Sequence, residues 1–123
     1  EMSHSYGALA HYHNHGNMQR FLEKIADLDV DSLDPIEQPP YGDIQMDEAA
    51  RRIGDRVCLV GGLDDMEILE TRPLEEVRRL GAELLERMRG AQRFMLGGTS
   101  SGIFGEAAAR GFMALVDVAE ELS

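Results

Sequence analysis

Short apolar runs alternate with longer amphipathic segments along the chain, and the alternation repeats four times. The apolar runs cover residues 8–15, 31–36, 56–62 and 93–98. A short apolar run bounded by turn residues is typical of a buried strand, whereas apolar positions spaced three and four apart indicate a helix that buries one face. The pattern therefore predicts four units in which a strand precedes a helix.

Each predicted strand is followed by a segment with helical spacing. Asn17 is placed to cap the first helix, and Pro73 is placed as the first residue of the third, which Gly90 ends. The second helix is predicted over 46–53 and the fourth over 106–122. The positions assigned to buried faces are Met18, Phe21, Leu22, Ile25 and Leu28 in the first helix, Leu74, Val77, Leu80, Leu84 and Met88 in the third, and Phe112, Leu115, Val116 and Ala119 in the fourth.

Strands that alternate with helices indicate a parallel sheet, because a parallel connection needs a crossover of about a dozen residues. The predicted fold class is therefore α/β, with residues 1–123 as a single domain. A closed (βα)8 barrel takes about 250 residues, which is about twice this chain. Four consecutive βα units form either a small open sheet or half of a TIM-type barrel, and composition does not choose between them.

Net charge and cysteine content limit which partners and which cellular compartment we expect. The chain carries 23 acidic and 12 basic residues, a net charge of −11, which repels a nucleic-acid backbone. Its single cysteine, Cys58, cannot form an internal disulfide, and no stretch approaches the roughly 20 apolar residues that span a bilayer. We therefore expect a cytoplasmic protein that binds neither nucleic acid nor membrane.

Polar, acidic and glycine residues follow every apolar run. The segments are HNHG at 13–16, DPIEQPPYGD at 34–43, GGLDD at 61–65 and GGTSSG at 97–102. In parallel α/β folds, ligands bind outside the carboxyl ends of the strands, and these ends meet at one edge of the sheet. The residues with useful chemistry are therefore expected at that edge.

Three histidines alternate in HYHNHG, at positions 11, 13 and 15. Side chains two apart on a strand share a face, so His11, His13 and His15 are expected to point the same way. Their spacing permits His13 and His15 to bind one metal ion. Strand-end histidines that only hydrogen-bond to carboxylates fit the same pattern. A purification tag fits less well, because tag histidines are contiguous.

Four segments in order, HYHNHGN, DSLDPIEQPPYGD, RVCLVGGLD and RFMLGGTSSGI, resemble the second half of the uroporphyrinogen decarboxylase superfamily, which includes zinc-dependent corrinoid methyltransferases. The resemblance spans nearly the whole chain. It implies strands five to eight of a (βα)8 barrel, and the unusual Glu1-Met2 opening agrees with a truncated end. Such a half leaves strand edges and an inner face uncovered. We therefore expect a homo-oligomer or pairing with a missing amino-terminal half.

In the methyltransferase branch, the resemblance implies a zinc site built from His-x-Cys-Gly and a later cysteine. Residues 13–16 match the first motif, with His15 in place of the cysteine, and Thr99 and Ser100 lie where the later cysteine belongs. A hydroxyl is a poor zinc ligand beside a thiolate. The metal ligands predicted here are therefore His13, His15 and Glu37.

Further candidates lie along the same predicted edge. Glu37 and Asp64 are candidate catalytic carboxylates, and Asp64 can orient a histidine. Asp43, Thr99 and Ser100 are candidates for substrate binding. The three acidic candidates each have a plainer interpretation: Glu37 as an exposed loop acid, Asp43 as a cap of the next helix and Asp64 as a loop cap. GGTSSG also lacks the Gly-Lys-Ser/Thr of a phosphate-binding loop.

The resemblance leaves three functions open. The first is a zinc-assisted methyltransferase whose substrate is a small molecule or a corrinoid protein, with a corrinoid or thiol as methyl carrier. The second is a tetrapyrrole decarboxylase, which uses no metal; its substrate-binding arginines belong to the missing half, and the expected histidine of the last loop is absent from GGTSSGI. The third is a non-catalytic truncated half-barrel that serves as an assembly partner.

Overall fold

A computed structural model describes residues 2–99 and 105–122. It contains a single sheet of four parallel strands in the order β1-β2-β3-β4. The strands are β1 (His11–His13), β2 (Ser32–Ile36), β3 (Cys58–Leu63) and β4 (Phe94–Gly98). The helices are α1 (Met2–Ser5), α2 (Leu22–Ala26), α3 (Met46–Ile53), α4 (Leu74–Arg87) and α5 (Glu106–Leu122). The predicted α/β class is confirmed, and four consecutive βα units in this order have the arrangement of half a TIM-type barrel.

The two faces of the sheet have different environments, because alternate strand residues point to opposite sides. Leu33 and Leu59 are fully buried in the core that α2 to α5 build on one face. His11, His13 and Met95 are exposed. We call the face that carries these three residues the uncovered face. In a closed barrel, that face lines the interior.

Periodicity predicted the long helices well. The helices α3 and α5 have the predicted bounds, and α4 begins at Leu74, with Pro73 at the position before it. Val77 and Leu84 are fully buried, as expected for the central positions of the α4 stripe. No helix within residues 2–99 and 105–122 is long and apolar enough to cross a membrane.

The start of the first predicted helix was wrong. α2 begins at Leu22, several residues after Asn17. The backbone N–H groups of Met18 and Gln19 donate instead to Asp43 Oδ1, at 2.8 and 2.9 Å. Asp43 therefore binds the segment before α2. Its plainer interpretation, as a cap of the next helix, is wrong.

Four positions assigned to buried faces are exposed, namely Phe21, Leu28, Leu74 and Val116. Leu28 is 59% exposed because α2 ends at Ala26, so its helical spacing no longer applies. Val116 is 57% exposed, since the buried stripe of α5 runs through Leu115 and Val118. The short helix α1 and a π-helical turn, Asp65–Leu69, were not predicted.

An ion pair joins α2 to α3, and it supplies a test by pH. Arg52 donates from Nε and Nη2 to the two carboxylate oxygens of Glu23, each at 2.7 Å. The hydrogen bonds from Arg52 lower the pKa of Glu23 from 4.5 to about 2. Because the pKa is lower in the folded chain, the pair stabilises the fold above pH 4.5, and this contribution is lost as the pH falls through about 2.

Carboxyl-carbon NMR of the full chain should therefore find Glu23 titrating near pH 2. In Arg52→Gln, the pKa of Glu23 should return towards its ordinary value. A wild-type Glu23 that titrates like an isolated glutamate would show that the ion pair does not persist in solution.

Candidate functional site

The candidate site is built where β1 and β2 lie side by side. Parallel pairing places His11 opposite Ser32 and His13 opposite Asp34. Gly16, at φ 86°, turns the chain directly after His15; this left-handed conformation favours glycine. We define the histidine cluster as His11, His13, His15, Asp34 and Glu37.

Asp34 joins the first two histidines. Its Oδ1 lies 2.7 Å from His11 Nε2 and 2.8 Å from His13 Nδ1. His11 Nδ1 also lies 2.7 Å from Ser32 Oγ. An ionised carboxylate can only accept hydrogen bonds, so both ring nitrogens that face Asp34 donate to it.

Glu37 holds the third histidine in the same manner. His15 Nδ1 lies 3.1 Å from Glu37 Oε1, and the Gly16 N–H donates to Glu37 Oε2 at 2.5 Å. Glu37 is 7% exposed, so its carboxylate is buried beside the His15 ring, which is itself exposed to solvent. Glu37 is therefore not the exposed loop acid of its plainer interpretation.

His13 and His15 face each other through their remaining nitrogens. The two Nε2 atoms are 3.0 Å apart, and the rings cross at 79°. Because each Nδ1 donates to a carboxylate, each Nε2 of a neutral ring carries a lone pair. Two facing lone pairs repel each other at this distance, unless a proton or a metal ion lies between them.

This arrangement fits a zinc-class ion. Imidazole nitrogens bind zinc at about 2.0–2.1 Å, so two nitrogens 3.0 Å apart can share one ion. Metal-binding histidines usually donate their other ring N–H to a carboxylate, which fixes the tautomer. Asp34 and Glu37 occupy those positions for His13 and His15.

The histidines lie together as predicted, whereas Glu37 has a different place from the one expected. His11, His13 and His15 form one hydrogen-bonded group with carboxylates, which confirms that they point the same way. Glu37 contacts the Nδ1 side of His15, away from the Nε2 pair. Its carboxylate is thus placed to orient a ligand.

The hydrogen bonds of the remaining described candidates go to groups outside the histidine cluster. Asp64 and Thr99 line a groove of about 860 Å³ between the 38–41 loop and α4, and its lining among the described residues includes no histidine. Asp64 Oδ1 accepts the N–H groups of Met66 and Glu67, so it caps the π-helical turn. Asp43, another candidate, is bound to backbone amides as described above, and Ser100 lies outside the described residues.

Thr99 is also tied into the fold. It is 3% exposed, its N–H donates to Asp65 Oδ1 at 2.7 Å, and its hydroxyl oxygen accepts a hydrogen bond from the Asp65 N–H at 3.3 Å. Asp65 is itself 1% exposed and was not singled out from the sequence. The adjacent Asp64 and Asp65 give no sequence signal that tells the buried carboxylate from the capping one.

Two members of the histidine cluster were also missed as site residues. Asp34 and His11 were not assigned to the site, although both lie in the quoted segments. The useful signal is the strand register, which pairs His13 with Asp34. Alternation predicts which residues share a face, but it does not predict which residues of the next strand lie beside them.

Comparisons with known proteins give a family and a fold. The family described as Uroporphyrinogen decarboxylase (URO-D) matches residues 3–122. A solved methyltransferase from Methanosarcina mazei has a similar fold, with a TM-score of 0.73 and 22% sequence identity. The match covers 98% of this chain and 33% of that one, so this chain spans about a third of its length. No curated protein matches the sequence.

Proposed function

Because the chain belongs to the uroporphyrinogen decarboxylase family, we propose that it forms the metal-binding part of a zinc-assisted methyltransferase. The methyl carrier is a corrinoid or a thiol, and the substrate is a small molecule or a corrinoid protein. The observation that carries the proposal is the pair of Nε2 atoms of His13 and His15, 3.0 Å apart, with a carboxylate behind each ring.

The residues of this chain prepare the ligand nitrogens. Asp34 accepts the Nδ1 proton of His13, and Glu37 accepts that of His15, so both Nε2 lone pairs are free to bind. The Gly16 N–H fixes the carboxylate of Glu37. His13 and His15 would hold a zinc-class ion through their two Nε2 atoms, and such an ion would supply Lewis-acid chemistry that lowers the pKa of a thiol.

Access to the pair favours an open site. The side chains of His13 and His15 are 48% and 42% exposed, and they project from the uncovered face. Catalytic zinc sites keep a position for substrate, whereas structural sites are closed by four protein ligands. The exposure of both rings leaves a thiol access to an ion that the pair would hold.

The cluster's charge favours this function over tetrapyrrole decarboxylation. Uroporphyrinogen-type substrates carry several carboxylates, which require cationic partners. Within residues 2–99 and 105–122, the hydrogen bonds of the histidine cluster include no lysine or arginine. The similar fold of the Methanosarcina mazei methyltransferase is consistent with the proposal.

The proposal is tested with the full chain purified without nickel resin and loaded with Co²⁺ in place of zinc. Addition of 2-mercaptoethanol should produce a sulfur-to-cobalt charge-transfer absorption band. The zinc-loaded chain should transfer the methyl group of methylcobalamin to the same thiol, which breaks the cobalt–carbon bond, releases cob(I)alamin and gives the thiol proton to solvent. Mass spectrometry detects the product as a thioether. Glu37→Gln should weaken metal binding about 10–100-fold, because the amide cannot accept both N–H groups.

Glu83→Gln is the matched control, since this acid lies on α4 outside the histidine cluster. It should leave both signals unchanged. Bound Co²⁺ that gives no sulfur band would refute thiol activation while leaving the metal site intact. Failure to bind Co²⁺ or zinc would refute the metal site itself.

A further inference from the structure

We propose that His11, His13 and Asp34 form a second divalent-cation site beside the pair of Nε2 atoms. An ion at one of these two positions excludes an ion from the other. Both positions use the imidazole of His13, but they use different nitrogens of that ring. The ligand class is a first-row divalent transition metal that accepts two imidazoles and one carboxylate. This site extends beyond the proposed methyltransferase function, which needs only the His13 and His15 pair.

The geometry supplies three ligand atoms on one surface. His11, His13 and Asp34 each offer one atom, and these atoms lie within 4.8 Å of one another. Asp34 Oδ1 is already 2.7 and 2.8 Å from His11 Nε2 and His13 Nδ1. Two histidines and one carboxylate that leave open positions are the ligand set of several metal enzymes. All three side chains belong to the uncovered face, where a ligand has access.

The hydrogen bonds agree with an ion at either position. When an ion binds His13 Nδ1, the ring proton moves to Nε2, which then donates to His15 Nε2, 3.0 Å away. His15 Nδ1 in turn donates to Glu37. His15 and Glu37 thus support His13 from behind, in the manner of outer-shell partners of metal-binding histidines.

The same bonds make the two positions exclusive. A neutral imidazole has one nitrogen with a lone pair and one that carries a proton. His13 can therefore present Nδ1 to the ion near Asp34, or Nε2 to the ion near His15, but not both. An ion at one position fixes the tautomer that excludes an ion from the other.

Cobalt titration of the full chain separates the two positions. His15→Ala removes a ligand of the Nε2 pair, and at the second site it removes only an outer-shell partner while all three ligands remain. His11→Ala removes a ligand of the second site alone. We expect wild type, His15→Ala and His11→Ala each to bind one Co²⁺ per chain, as measured by absorption and calorimetry. The double variant should bind more than about 10-fold more weakly than either single variant, because each position then lacks one ligand.

The result that overturns the second site is a His15→Ala variant that binds Co²⁺ no better than the double variant. Two Co²⁺ ions bound to wild type would overturn the exclusivity. In either case, metal binding by His11→Ala still measures the Nε2 pair. A failure of the proposed function is therefore detected independently. His4→Ala is the matched control, because His4 also bonds carboxylates, those of Asp29 and Asp31, outside the cluster.

Ring-nitrogen NMR of the zinc-loaded variants gives a second readout that does not depend on affinity. In His15→Ala, the metal-bound nitrogen of His13 should be Nδ1, with the proton on Nε2. In His11→Ala, the assignments should be reversed. The same tautomer of His13 in both variants would overturn the proposal.

Discussion

Replacing His13 with alanine should weaken zinc binding by more than about 100-fold, because both candidate ion positions depend on this ring. Loss of an outer-shell partner lowers metal affinity about 10–100-fold, and loss of a ligand that both positions share should lower it further. The His13 side chain is 48% exposed and lies outside the apolar core, so the fold should persist. Competition with a chromophoric chelator measures the change.

His4→Ala supplies the comparison for this variant. His4 Nε2 lies 2.8 Å from Asp31 Oδ2, so the control also removes a histidine from a carboxylate. Its zinc affinity should equal that of wild type. Wild-type affinity in His13→Ala would contradict both ion positions, since neither can form without that imidazole.

Substituting Gly62 with alanine should destabilise the fold by roughly 3 kcal/mol, since backbone strain and overpacking each cost about 1–3 kcal/mol. Gly62 has φ of 110°, which residues with a side chain rarely adopt. A Cβ at this position would overlap the side chain of Leu84, which is fully buried on α4. The Leu84 side chain must move within the packed core to make room.

Gly90→Ala is the control for that substitution. In the part of the chain that the structure describes, nothing lies within 4 Å of a Cβ built at Gly90, so its effect should stay within about 0.5 kcal/mol. Urea denaturation followed by circular dichroism measures both variants. If Gly62→Ala were as stable as Gly90→Ala, the close packing of α4 on β3 would be wrong.

Most of the fold could be predicted because the core is built from local periodicity. The stripe through Val77 and Leu84 specifies α4, and apolar spacing specifies α3 and α5 with their observed bounds. The start of α2 could not be predicted, because Asp43, distant in sequence, binds the amides before it. A helix start that depends on hydrogen bonds to a residue distant in sequence gives no local sequence pattern.

The alternation of side chains along a strand predicted only part of the site. It placed His13 and His15 together, but it did not assign Asp34 to His13 or place Glu37 behind His15. Those contacts depend on the register of β1 on β2, which tertiary packing decides. The plainer interpretation of Asp64 as a loop cap is the one observed, since its carboxylate binds the amides of the π-helical turn.

The uncovered face explains why the histidines are accessible, and it bears on assembly. Met95 is 59% exposed there, near the half-buried Val60 of β3. An apolar sheet surface of this kind is usually packed against another layer. Pairing with another copy, or with an amino-terminal half, stays a prediction.

X-ray absorption at the zinc edge tests the assignment of the ion most directly. The full chain is loaded with one equivalent of zinc, and the spectrum reports the ligands and their distances. The histidine cluster predicts two imidazole nitrogens at about 2.0–2.1 Å from the ion. A spectrum described by oxygen ligands alone, without imidazole, would contradict a metal site at His13.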